Sequence, residues 1–233
     1  MLYLIGLGLS EKGYSREAYE AISKADKIFV ETYTVDFPYD LKKLEKQFKG
    51  KKFVLVDRGF VESMEFLKES KKINVAFLIY GSPLIATTHI SLIQEARKNK
   101  IKCKVIHNAS ILDALTITGL QIYKFGKIAS MPGFEADSFI DIIKENQKIN
   151  AHSLILVDIG LEFSDAISKL EKSAKRKKLK VNKIVVCQLL GTKNQKIFYM
   201  RINELKSKKI KKPYCIIIPS KLHFMEEEVL RSF

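Results

Sequence analysis

Ser82, Ser110, Asp158 and three histidines, His89, His107 and His223, fall in this chain where an apolar run breaks into a loop or a helix start. Hydroxyls at such breaks can hold a small polar ligand, and an imidazole or carboxylate beside them can take a proton. The stretch LIYGSPLIATTHISLIQEARK, residues 78–98, shows the pattern well: a buried run ends in Gly-Ser-Pro, then ATTH, then an amphipathic segment. Turn chemistry alone could account for that piece, with Thr87 or Thr88 capping the helix beyond it. The terminal GLGLSE has a GxG without a third glycine and no immediate helix, so it is not a dinucleotide fingerprint. Cys103, Cys187 and Cys215 each sit inside an apolar run without CxxC spacing, which reads as buried thiols rather than a metal site or a disulfide framework.

These residues need a scaffold, and the hydrophobic pattern supplies one. Apolar runs 2–9, 27–34, 52–57, 74–80 and 102–107 read as strands, and helical patterns at 15–26, about 41–48, 61–72 and 88–98 alternate with them. The runs are apolar on both faces, as in a mostly parallel sheet covered by helices. After Asn108 a passage rich in Gly, Thr and aromatics, ITGLQIYKFGKIASMP (117–132), precedes a second alternation. There we expect helices at 137–147, 164–176 and from about 223, and strands at 153–158, 183–190, 196–201 and 213–218. The short GTKNQ link predicts a hairpin and hence a mixed second sheet. The expected architecture is two α/β domains, 1–110 and 111–233. In open α/β sheets ligands gather at the carboxyl ends of strands. That rule selects Gly6-Leu7-Gly8-Leu9, Gly81-Ser82-Pro83, His107 to Ile111, Asp158-Ile159-Gly160 and Leu190-Gly191.

Composition narrows the class. The chain has 233 residues, 46% hydrophobic, and no apolar run near the roughly 20 residues that a membrane helix requires. Its N-terminus lacks a basic leader, so a cytoplasmic protein is expected. A net charge of +15 suggests an anionic partner. The charge is concentrated in KSAKRKKLK (172–180) and KSKKIKKP (206–213), which lack interleaved aromatics. A solvated lysine face, or steering of an acidic protein surface, therefore reads better than nucleic-acid binding.

Taken together, LYLIGLGL, AFLIYGSPLIATTH, VIHNASILDALTITGLQIYKFGK and IIIPSKLHFMEEEVL resemble the diphthine synthase family, in the tetrapyrrole methylase fold group. ITGLQIYKFGK and KLH carry the resemblance to this family in particular. It implies an S-adenosylmethionine-dependent N-methyltransferase, releasing S-adenosylhomocysteine, that acts on the modified histidine of translation elongation factor 2. The archaeal type makes a trimethylated amine, and the family implies a homodimer. By motif, the cofactor would lie in a cleft between the two domains against Leu9, Ser82, Ile85, Ser110, Ile111, Val157, Leu190 and Tyr214. One departure stands out: the family usually reads Gly-Asp-Pro where this chain has Gly81-Ser82-Pro83.

Methyl transfer from a sulfonium is an in-line displacement that proximity can largely carry. His89, His107, Asp158 and His223 are positional candidates for a base, and Tyr123 or Phe125 could face a quaternary ammonium. The competing readings are a same-fold methyltransferase acting on a tetrapyrrole or ribosomal RNA, and a non-catalytic RNA-binding protein.

Overall fold

A computed structural model describes residues 1–233. The chain divides into two compact units, Met1–Asp113 and Ala114–Phe233.

In the first unit, strands β1 (Leu2–Gly6), β2 (Lys27–Glu31), β3 (Phe53–Val56), β4 (Val75–Ile79) and β5 (Cys103–Ile106) form a sheet in the order β3-β2-β4-β1-β5. Every pairing is parallel. All five residues of β4, VAFLI, are buried, as the apolar run demanded of a central strand. Strand alternation sends Leu2 and Leu4 to one face with Phe77 and Leu92, and Ile5 and Leu7 to the other with Ile22 and Val30.

Helix α1 (Arg16–Lys24) starts on a Ser15 cap whose hydroxyl accepts from the Ala18 N–H, and it buries Ala18, Ala21 and Ile22. Next come α2 (Leu41–Glu45), α3 (Arg58–Ser63) and α4 (Ile90–Lys98). The expected helix 61–72 is broken at Met64, which adopts a left-handed φ of 54° before a 3₁₀ run over Glu65–Lys71. One straight α-helix would fan Val61, Phe66, Leu67 and Ser70 around its circumference, whereas the break buries all four.

The second unit begins with α5 (Ile111–Ala114, astride the boundary) and 3₁₀ turns at Leu115–Thr118 and Ile122–Lys124. Its sheet contains β6 (Ala129–Met131), β7 (Ser153–Val157), β8 (Lys183–Gln188), β9 (Lys196–Arg201) and β10 (Tyr214–Ile218), in the order β6-β7-β10-β8-β9. The pair β6–β7 is parallel and the other three are antiparallel, so this sheet is mixed, with β8 and β9 forming the expected hairpin. Helices α6 (Ser138–Lys148) and α7 (Phe163–Arg176) pack on its core. On α7 the residues Phe163, Ala166, Ile167, Leu170 and Ala174 repeat at helical spacing and are buried. Short α8 (Ile202–Leu205) and α9 (Phe224–Leu230) complete the unit. Strand β6 and the 3₁₀ turns were not foreseen, because segments of three or four residues are too short to show a period.

Candidate active site

All carboxyl ends of the first sheet emerge on one edge, and β4 and β5 flank β1 there. The exits of β1 and β4 are tied by two reciprocal backbone bonds, Gly8 N–H to Gly81 O at 3.1 Å and Gly81 N–H to Gly8 O at 3.0 Å. Both glycines have positive φ, 70° and 71°. Gly6 is constrained by proximity instead, since a side-chain carbon there would stand 2.6 Å from Gly81 O. A side-chain carbon placed on Gly81 would stand in van der Waals contact with Ala109 O and Ser110 Cα, both at 3.8 Å, and with Leu9 Cδ2 at 4.0 Å. Leu9, Gly81 and Ser110, three chain segments apart in sequence, therefore meet at one place.

Asn108 organises this edge. Its side-chain amide donates to Gly6 O and to Gly13 O, each at 3.0 Å, and its carbonyl accepts from Ala109 N–H at 2.8 Å. Tyr80 adds a second tie, its hydroxyl donating to Leu9 O at 3.1 Å. Asn108 lies within the strand-end segment His107 to Ile111 that the sequence selects, whereas Tyr80 lies outside it. The available signal was their position, Tyr80 directly before the Gly-Ser-Pro break and Asn108 inside the HNAS exit of β5.

Ser82 and Ser110 are buried, at 7% and 4% exposure. Ser110 caps α5: its N–H and hydroxyl both donate to Asp113 Oδ2, at 2.6 and 2.8 Å, and its oxygen accepts from Leu112 N–H at 3.2 Å. Those two Ser110 donors hold the Asp113 carboxyl below its ordinary range. Ile85 is partly exposed, and Ile111 sits one residue beyond the cap.

The four base candidates have different surroundings. His89 is 1% exposed, with Nδ1 3.2 Å from Pro83 O and Nε2 3.2 Å from the Tyr33 hydroxyl. Burial holds its pKa below the ordinary value. Both ring nitrogens are thus occupied in bracing the Pro83 turn. Nor does threonine cap α4: Thr87 turns inward and donates to Pro83 O at 2.8 Å, while His89 occupies the cap position without a side-chain cap bond. His223 caps α9 by accepting from Met225 N–H at 3.4 Å. Asp158 accepts from Gly133 and Ile159 N–H, both at 3.0 Å. His107 is exposed at the exit of β5.

In the second unit, Val157 ends β7, Tyr214 begins antiparallel β10, and Leu190 follows Gln188, the register partner of Tyr214. All three expected residues therefore lie at one end of that sheet. The Tyr214 hydroxyl donates to Leu161 O at 3.0 Å, and burial, then the charges of Glu162 and Asp165, raise its pKa.

The segments IYKFGK and KLH meet around Glu226, which has no exposed surface. Its carboxylate accepts from Gln121 N–H at 3.0 Å, His223 N–H at 2.7 Å, His152 Nε2–H at 3.1 Å and the Lys124 ammonium. Burial alone would raise its pKa, but the His223 amide, the Lys124 ammonium, the Gln121 amide and His152 together bring it to about 2. Ser220 N–H donates to His152 Nδ1 at 2.9 Å, which leaves the Nε2–H tautomer to face Glu226. Tyr123, 79% exposed, lies off this cluster, whereas Phe125 packs edge-on against His152.

A profile of the tetrapyrrole (corrin/porphyrin) methylases matches residues 1–206. The chain is 35% identical over 250 residues to a diphthine synthase of Methanococcus maripaludis, covering 99% of this chain and 98% of that one. It is 43% identical over 169 residues to a diphthine methyl ester synthase of Candida glabrata, covering 70% of this chain and 57% of that one. A solved diphthine synthase structure superposes with a TM-score of 0.92 at 32% identity, covering 100% of this chain and 95% of the other. The chain thus belongs to the diphthine synthase family within the tetrapyrrole methylases, and it is a methyltransferase.

Proposed function

We propose that this chain uses S-adenosylmethionine to trimethylate the amino group of the 2-(3-amino-3-carboxypropyl)-histidine of translation elongation factor 2. S-adenosylhomocysteine is the second product. The observation that supports this reading is the end-to-end match to a diphthine synthase in a chain whose Gly8–Gly81 bridge lies beside Leu9 and Ser110. Glycine backbone, buried serines and an apolar Leu9 wall suit a nucleoside-bearing sulfonium, which needs close backbone approach and few fixed polar contacts.

When bound, S-adenosylmethionine supplies an electrophilic methyl group on a cationic sulfur. Leu9, Ser82, Ile85, Ser110 and Ile111 are the proposed holding residues of the first unit. Val157, Leu190 and Tyr214 are proposed as further cofactor contacts on the strength of the family motif. The chain's task is to align a neutral amine and keep water away, so rigid strand exits matter more than a strong base. Asn108 and Tyr80 provide that rigidity. No base is assigned among the four positional candidates: His89 has both ring nitrogens engaged, His223 caps a helix, Asp158 accepts from two backbone N–H groups, and His107 is exposed. We further propose a homodimer working in the cytoplasm, with basic residues 206–212 steering the acidic face of the protein substrate.

Intact-mass spectrometry of elongation factor 2 carrying the precursor residue, incubated with the protein and S-adenosylmethionine, tests this reading. Three methyl-sized gains that survive mild alkali, and vanish when the acceptor histidine is replaced, are expected. A gain lost in alkali would instead mark a methyl ester, the product that the Candida glabrata relative's name implies. No gain at all would overturn the assigned substrate.

A further inference from the structure

The second unit carries a cavity of about 560 Å³ at the end of its sheet opposite Val157, Leu190 and Tyr214. Its walls include the first residue of β8, the last of β9 and the segment that follows β10. Lys183 and Arg201 are register partners, as are Val185 and Tyr199. Strand alternation therefore puts Lys183, Tyr199 and Arg201 on one face, while Ile184, Val186, Phe198 and Met200 face the core.

The charges are unbalanced. Lys180, Lys183 and Arg201 line the cavity against a single carboxylate, Glu204. That carboxylate is already engaged, accepting from Arg201 Nε and Nη2 at 3.2 and 3.0 Å and from Arg201 N–H at 2.9 Å. Lys183 directs its ammonium over the Tyr199 ring, 4.9 Å from the centroid, and its charge acts with Arg201 on the Glu204 carboxylate. Two cations are left in excess, and Ser220, Leu222 and Tyr199 form part of the wall. A carboxylate ligand would balance only half of that excess. A phosphate monoester carries nearly two negative charges and three acceptor oxygens, and a ring attached to it could rest on the apolar wall.

We propose that this cavity binds a phosphate monoester attached to a compact ring-bearing body. The site lies outside the residues assigned to methyl transfer. The loop behind it ties the occupant to the fold: Ser220 N–H donates to His152 Nδ1, and Lys221 O accepts from the Lys124 ammonium at 2.9 Å, both beside buried Glu226. An occupant resting on this loop would stabilise the second unit by mass action.

The test is calorimetric titration of the full chain with phenyl phosphate, with phenol and inorganic phosphate alongside. Saturable binding of phenyl phosphate is expected, tighter than inorganic phosphate, with none for phenol. The double variant Lys180→Glu, Lys183→Glu should weaken it at least about ten-fold, a change of one decade in affinity. Lys68→Glu, Lys72→Glu, on exposed lysines of the first unit, changes the net charge equally and should leave binding intact. Equal weakening by both pairs, or no saturable binding by the native chain, would overturn the site. Should the first pair unfold the protein, Lys183→Gln alone provides the same comparison, with the native melting temperature as the check on folding.

Discussion

At the residue scale, the departure at Ser82 carries the most direct consequence. In the proposed cofactor site, a carboxylate at this position would stand near the cationic sulfonium, where a hydroxyl offers only a dipole. Ser82→Asp should tighten S-adenosylmethionine binding about ten-fold at low ionic strength, with the gain shrinking as salt rises. Calorimetry at two salt concentrations checks it, and a salt-independent change would contradict the electrostatic account. Asn108 gives a second case. Asn108→Ala leaves Gly6 O and Gly13 O without their donor and should cost about 1–3 kcal/mol of stability. Cofactor affinity should fall with it, because Asn108 holds the strand exits in place. Unaltered affinity in a folded Asn108→Ala protein would deny it that positioning role. Ser82 was visible in the sequence because it sits in the Gly-Ser-Pro break just beyond a strand. The work done by Asn108 was not, because its partners lie 102 and 95 residues away.

At the scale of elements, Gly126 shows how a signature segment is locked against its neighbours. A side-chain carbon at Gly126 would stand 2.2 Å from Asn146 Oδ1 and 3.1 Å from Ala151 Cβ. Asn146 cannot retreat easily, since it accepts from Lys127 N–H at 2.9 Å and donates to Lys127 O at 2.8 Å and Ser153 Oγ at 3.0 Å. Gly126→Ala should therefore destabilise the fold by about 1–3 kcal/mol through overpacking, read as a lowered melting temperature. A melting temperature equal to that of the native chain would show that the Asn146 bracket yields. Long periodic elements such as α7, and the hairpin β8–β9, were legible because each satisfies its own pattern locally. The break at Met64 was not legible, since it answers to the core beneath rather than to local propensity.

On the scale of the whole molecule, His89 and His152 are both buried, and burial lowers the pKa of each below 6.5. The unfolded chain then binds more protons than the folded one as pH drops below 6.5, so stability must fall with pH in that range. Melting temperature measured from pH 7.5 to pH 5 should decline, and His152→Gln should flatten part of the decline; a flat native profile would contradict this. The positive charge has its own test: reversing the lysines of 206–212 should raise KM for the protein substrate at low salt and leave the cofactor Kd unchanged, whereas an unchanged KM would remove the steering role. Fold class, most element positions and the family were legible in the amino-acid order, because hydrophobic period and short motifs are local properties that survive without coordinates. Coordinates were needed to find that Leu9, Gly81 and Ser110 come into contact, that His89 is spent on bracing a turn, and that IYKFGK and KLH close around Glu226. Each of these depends on contacts between residues far apart in the chain, whose partners are set by strand order and packing rather than by any neighbour in sequence.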